Sequence, residues 1–324
     1  MAHRVDDRLK RCLEEAKHQR IWLRPSCEED RVALQRRFRH GGAVRPFPGL
    51  YADRDRFHAM KPRARAVTTL RTLATENPEL VFCRYSAALL HGLQLASRLW
   101  DEVDVVASTG HRRSSQSIRR HPRPPSGEPT PRMMGMRVTC LERTVMDCLR
   151  SLPLEDGLGV VDSALRFDLT SMHRLERFFD EHGRRRRGIV QARETLSHAD
   201  GLSENGGESY VRGVIIRLGF QLPELQVELF DPMEPGNPKR VDFLWRLPDG
   251  RLVAGELDGM GKYKAAGGLD GTVRRMSRER RRESHLNLGG VRVLRFSMGD
   301  VYDRAYFERL LTSAGIPRVG SAAA

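Results

Sequence analysis

Cysteine is sparse in this chain. Five thiols (Cys12, Cys27, Cys83, Cys140 and Cys148) are scattered over 324 residues, with no CxxC pair and no His at zinc-ligand spacing. Their odd number and scatter argue against both a disulfide framework and a zinc site. Long apolar runs are missing too. No stretch approaches the about 18 apolar residues that a membrane-spanning helix needs. The opening Met1-Ala2-His3-Arg4-Val5-Asp6-Asp7 lacks the apolar core of a signal peptide, so the expected location is the cytoplasm, with no membrane partner. The middle of the chain carries no Gly-rich phosphate loop, no Ser-His-Asp set and no cofactor fingerprint, and there is no internal repeat.

What is abundant is positive charge. The formal net charge is +14 and the sequence pI is near 10.2, so a polyanion is the first expected partner. Lysine is scarce; arginine carries the excess, as in Arg184 to Arg187, Arg274-Arg275, Arg278 and Arg280 to Arg282. Guanidinium groups contact phosphate bidentately, which suits DNA. An arginine-favouring genome would give the same bias without any ligand.

The most informative segment is a hairpin. Val241-Asp242-Phe243-Leu244-Trp245 and Leu252-Val253-Ala254-Gly255-Glu256-Leu257-Asp258 read as strands separated by the turn signal Pro248-Asp249-Gly250. A three-residue loop pairs 247 with 251 and so sets Asp242 opposite Glu256, with Cβ atoms roughly 5 Å apart. Strand periodicity puts Asp258 on the face of Glu256. Like charges so close repel unless one takes a proton or a cation lies between them, and hard oxygen ligands suit Mg²⁺. A two-residue loop would shift the register and separate the acids. A solvated strand face would show the same alternation with no chemistry attached. Upstream, Val211, Val214, Ile215 and Leu218 recur at helical spacing, with Glu208 at the margin of that stripe. Downstream lie a basic helix over Thr272 to Leu288 and the strand Val291 to Phe296.

Residues from about Glu208 to Val301 resemble the Vsr-like branch of the PD-(D/E)XK nuclease superfamily. The matching pieces are Glu208, Arg240-Val241-Asp242-Phe243, Glu256-Leu257-Asp258-Gly259 and Val291 to Phe296. The resemblance implies that Asp242 and Glu256 bind Mg²⁺ (or Mn²⁺), which activates a water for phosphodiester hydrolysis, with Asp258 and Glu208 as supporting acids. Asp258 stands where the superfamily usually has lysine. An Asp followed by Gly is common there in this branch, and Lys262 or Lys264 could supply the missing charge.

At the other end, the apolar anchors of Val5 to Ile21 and Glu28 to His40 suggest two helices, and Ala43 to Ala52 suggests a short hairpin interrupted by Pro46 and Pro48. This is a winged helix-turn-helix in outline, with Arg36, Arg37 and Arg39 on the second helix. Pro48-Gly49-Leu50-Tyr51, Ser86-Ala87-Ala88 through His91-Gly92-Leu93, and the Thr139 to Asp147 block resemble the AbiEi family of type IV toxin–antitoxin antitoxins over about residues 1–200. That resemblance implies an N-terminal DNA-binding unit followed by an antitoxin domain. His91 reads as a helix C-terminal residue rather than a catalyst, and Arg143 with Asp147 as a structural pair. His111 to Arg132 reads as a long exposed loop and His198 to Gly207 as a linker.

The expected architecture is α/β (α+β). It comprises a winged helix-like unit at 1–56, an α/β middle domain at 57–200, a restriction-endonuclease-like αβββαβ domain at 205–316 and a tail at 317–324. The expected function is metal-dependent DNA endonuclease activity in phage defence or DNA repair. The alternatives are a transcriptional regulator or antitoxin with an inactive nuclease-like domain, and a protein-interaction scaffold that neutralises a toxin. DNA contacts are expected from Arg36, Arg37, Arg39, Arg240, Arg274, Arg275 and Arg278. A cognate toxin is a further candidate partner. The sequence leaves the oligomeric state open.

Overall fold

The computed structural model describes residues 2–108, 117–258 and 268–319. The fold is α+β, built as two compact units. One comprises Met1–Cys148 and Arg177–Gly183; the other comprises Leu149–Glu176 and Arg184–Ala324. Among the described residues no helix is long and apolar enough to cross a membrane.

The first unit opens with α1 (Ala2–His18) and α2 (Glu28–Arg39), followed by the antiparallel hairpin β1 (Ala43–Phe47) and β2 (Leu50–Asp53). Leu9, Ala33, Leu34 and Tyr51 form a small core between them. The hairpin register shifts between Val44 and Phe47, where Pro46 has no N–H to give to the ladder. Next come α3 (Arg54–Ala59), α4 (Pro62–Glu76), β3 (Val81–Phe82), α5 (Arg84–His91), β4 (Val103–Val106), β5 (Ile118–His121), β6 (Arg132–Met133), β7 (Met136–Val138) and α6 (Leu141–Leu149). The strands form one sheet in the order β5-β4-β3-β7-β6.

The stretch expected as a long loop contains β5, which pairs in parallel with β4. His91 closes α5, where Gly92 adopts φ +88°, and its Nε2 lies 2.9 Å from the Thr139 carbonyl, a structural tie. Arg143 is buried and turns chiefly to Glu128, bonding it through Nε at 2.8 Å and again through Nη2. The expected pair with Asp147 is also present, as a looser ion pair at 3.9 Å. A buried guanidinium takes the carboxylate that offers bidentate geometry.

The second unit contains α7 (Leu154–Arg166), part of α8 (Met172–His182), α9 (Ile189–Ser197), α10 (Gly206–Arg217), β8 (Glu224–Leu229), β9 (Lys239–Arg246), β10 (Leu252–Asp258), α11 (Gly268–Leu288), β11 (Val291–Ser297), α12 (Met298–Tyr302) and α13 (Arg304–Ser313). From α10 to β11 the order is αβββαβ. The sheet runs β11-β10-β9-β8, with β10 and β11 parallel and the other pairs antiparallel. Leu244 and its neighbours Phe243 and Trp245 point to opposite faces, as strand alternation requires. One core joins Phe243, Trp245 and Phe296 to Val211, Val214 and Ile215 of α10 and to Phe307 and Leu311 of α13. The other joins Leu244, Ala254 and Val291 to Leu286 of α11.

This division departs from the expected 57–200 and 205–316 segments, because α7 and α9 group with α10. Packing explains it. A Cβ on Gly213 would lie 2.3 Å from Glu155 Cα, so the bare glycine lets α10 and α7 meet backbone to backbone. Arg212 also bonds Asp162 of α7 at 3.0 Å.

Candidate active site

The turn sets the register. Gly250, at φ +83°, donates to the Leu247 carbonyl at 2.9 Å, and Leu247 donates to the Arg251 carbonyl at 2.9 Å. The ladder then runs from Leu252↔Arg246 to Gly255↔Phe243, and one further step puts Asp242 level with Glu256. At that step the paired ladder ends, and the Leu257 amide donates to Asp242 Oδ2 at 3.0 Å. A side chain thus takes the place of a ladder carbonyl. On its other side, pairs Leu225↔Phe243 and Val227↔Val241 flank Gln226, which adopts φ +53°, a left-handed conformation that costs an L-residue about 1–2 kcal/mol. The backbone is therefore irregular on both sides of Asp242.

Glu256 is 8% exposed. Arg282 of α11 donates through Nη1 to Oε2 at 2.9 Å, and its Nη2 lies 2.7 Å from Oε1. That second contact compensates charge without hydrogen-bond geometry, so among the described residues Oε1 is buried with no hydrogen-bond donor. Burial pushes the Glu256 carboxyl above the ordinary range; Arg282 opposes the shift and the Asp242 charge adds to it.

Glu208 arrives from the first turn of α10. Asn205 caps that helix, its Oδ1 accepting from Gly207 and Glu208, while the Glu208 carboxylate accepts from the Glu204 amide, Asn205 Nδ2 at 2.5 Å and Gln226 Nε2 at 3.0 Å. Burial nevertheless pushes its carboxyl up to about 7, with Asp242 contributing repulsion. Asp258 pairs with Arg295 of β11, which also reaches Glu279 at 3.2 Å.

Asp242 and Glu256 line a cleft of about 670 Å³, bordered by Lys239, Arg240, Arg281 and Arg282. Lys239 is held by Glu234 at 2.7 Å and Asp231 at 3.2 Å, and Arg240 by Glu204. Among the described residues no group of three or more His, Cys, Asp and Glu converges as a metal cluster. The pair itself fits a hard divalent cation: two carboxylates at one sheet level, one of them with a buried oxygen that no donor satisfies.

The structure thus brings Asp242, Glu256 and Glu208 into electrostatic contact and places Arg240 at the cleft. Asp258 sits two residues along β10, engaged by Arg295. Lys262 lies outside the described residues, as do Lys264 and the side chains of Arg274, Arg275 and Arg278. Arg36, Arg37 and Arg39 belong to the other unit, on the last turns of α2. Beside that helix the Arg45 guanidinium stacks 5.3 Å from Phe38 and 5.7 Å from Tyr51.

Sequence reasoning missed Gln226, Arg282 and Arg295 as site residues. Arg282 was visible only as one member of a basic run. The Asn205-x-x-Glu208 spacing was a readable capping signal.

No family model matches the chain. Two relatives, each described as an uncharacterized protein of Mycobacterium tuberculosis (one from strain CDC 1551 / Oshkosh, one from strain H37Rv), are 31% identical to it over 224 residues, which is 69% of this chain and 77% of theirs. On that identity and coverage, the chain belongs to the family of these mycobacterial proteins.

Proposed function

We propose that the second unit is a metal-dependent DNA endonuclease, joined to an AbiEi-like DNA-binding or antitoxin region, and acting in phage defence or DNA repair. The observation that carries this reading is the placing of Asp242 and Glu256 together in a cleft that Arg281 and Arg282 also line. The αβββαβ order supports the resemblance to Vsr-like nucleases. Arginines at the cleft, Arg240, Arg281 and Arg282, match phosphate geometry, and the two acids supply the hard oxygens that phosphodiester hydrolysis requires.

Asp242 and Glu256 would hold Mg²⁺ or Mn²⁺, which when bound supplies Lewis acidity at a phosphoryl oxygen. The chain's own groups do the rest. Leu257 N–H fixes the Asp242 carboxylate. Glu208, held by the Glu204 amide, Asn205 and Gln226, stands beside that acid as a supporting carboxylate. Arg240 and Arg281 orient the phosphate backbone at the cleft mouth.

A second reading, a regulator or antitoxin with an inactive nuclease-like unit and a toxin as partner, is favoured by the guanidinium groups already paired with two of the acids. Arg282 already pairs with Glu256 and Arg295 with Asp258. Cleavage of supercoiled plasmid with Mg²⁺ or Mn²⁺ separates the two. The endonuclease reading expects metal-dependent nicking that falls at least about 100-fold in Asp242→Ala and in Glu256→Ala. No nicking by the wild type, with DNA binding intact, would select the regulator.

A further inference from the structure

Glu256 is a buried carboxylate level with a second carboxylate, and the charge that faces it comes from neither hairpin strand. It comes from α11. That helix is pinned one turn later: His285 Nδ1 lies 2.9 Å from Asp231 Oδ2, and Leu286 is buried in the sheet core. Residues three apart share a helix face, so the anchor at His285 directs Arg282 to the acids. Its guanidinium donates to Glu256 Oε2 at 2.9 Å and also to the Arg240 carbonyl. Its other contact with the carboxylate, to Oε1, lacks hydrogen-bond geometry. A third of the Arg282 side chain remains exposed, and Arg282 itself lines the cleft.

We propose that Arg282 is a built-in counter-ion of the acid pair that a divalent metal displaces, and that the displaced guanidinium then binds a phosphate oxygen of the DNA. This rests on the endonuclease reading and adds an order of events to it. Of the cleft's cations, Lys239 is held by Glu234 and Asp231 and Arg240 by Glu204, and Arg282 is the one paired with Glu256. With a divalent cation held by Asp242 and Glu256, Arg282 would be left as a surplus positive charge on the cleft wall. The contact at Oε1, which lacks hydrogen-bond geometry, is the weaker of the two that the cation has to replace. Arginine suits both roles, since the same planar fork matches carboxylate and phosphate. Arg282 is thus a positioning residue before metal binding and a substrate contact after it.

Calorimetric titration of the full chain with Mn²⁺ alone, at low salt and without DNA, tests the displacement. Removing the competing cation in Arg282→Gln should tighten Mn²⁺ binding at least about tenfold, while plasmid nicking falls at least about tenfold. Arg282→Lys, which keeps the charge, should bind Mn²⁺ within about threefold of wild type. Unchanged or weaker Mn²⁺ binding in Arg282→Gln, or equal tightening in both variants, would overturn the proposal and leave the endonuclease reading standing. Absence of Mn²⁺ binding in the wild type and in both variants would remove the endonuclease reading and this inference together. Should the glutamine variant fail to fold, the wild type still decides. On adding Mg²⁺, the Nε–Hε resonance of Arg282, assigned by its loss in Arg282→Lys, must shift as the guanidinium leaves Glu256. A resonance unmoved at saturating Mg²⁺ would overturn the proposal.

Discussion

At the scale of single residues, Glu208 gives the unit a measurable pH response. Its folded carboxyl is raised from the ordinary value to about 7, so the neutral form is favoured by folding. The sign follows from linkage. The stability it contributes is complete below the ordinary carboxyl range and is lost as pH climbs through about 7, a difference of about 3 kcal/mol at most. Glu208→Gln should flatten urea-unfolding midpoints between about pH 4.5 and 7. Asp162, which burial raises to about 6, will leave a residual slope in the variant. An identical slope in wild type and variant would mean that Glu208 folds as the anion. Gln226 shows what a sequence hides at this scale: nothing in Glu224-Leu225-Gln226-Val227 announces a left-handed residue inside a strand. The φ of Gln226 becomes intelligible only once its Nε2 is seen reaching Glu208.

At the scale of elements, the hairpin was the legible part because its turn carries its own instructions. Pro248-Asp249-Gly250 and a period of two fix which residues oppose, and the register follows from those alone. Long-range partners were not legible. Arg143 pairs with Asp147, four residues on, at 3.9 Å, but its hydrogen bonds go to Glu128, fifteen away. β5 hides in a stretch rich in Arg and Pro, since a strand held by its neighbours needs little propensity of its own. The meeting of α10 with α7 was equally silent, because a glycine within a helix reads as a weak point rather than a contact. Gly213→Ala tests that contact. Its Cβ would meet Glu155 Cα at 2.3 Å and Cβ at 2.7 Å, mostly backbone that cannot step aside. The loss should be about 1–3 kcal/mol, measured as a lower urea midpoint for the second unit. A midpoint unchanged to within about 0.3 kcal/mol would mean that the helices part at no cost.

At the scale of the whole molecule, the net charge of +14 predicts binding to duplex DNA that weakens steeply with salt. Each arginine that neutralises a phosphate contributes about 0.9 to the slope of log K against log salt. Replacing Arg36, Arg37 and Arg39 together by Ala should therefore reduce that slope by about 2–3, whatever the DNA sequence. An unaltered slope would place the DNA-binding surface elsewhere than on α2.

The grouping of α7 and α9 with α10 has a practical meaning for how this protein can be divided. A fragment beginning at residue 205 would leave behind the helix that Gly213 abuts and strip Arg212 of Asp162, an orphaned buried charge costing about 3–5 kcal/mol. Such a fragment should be insoluble or unfolded by circular dichroism, whereas one beginning at Leu149 should melt cooperatively. The same holds for any natural or engineered exchange of parts. A recombination joint in the Gly- and Ser-rich stretch before α10, the most inviting place by composition, would separate two helices that function as one wall. Grafting the acidic hairpin onto another carrier means transplanting everything from the start of α7 onward.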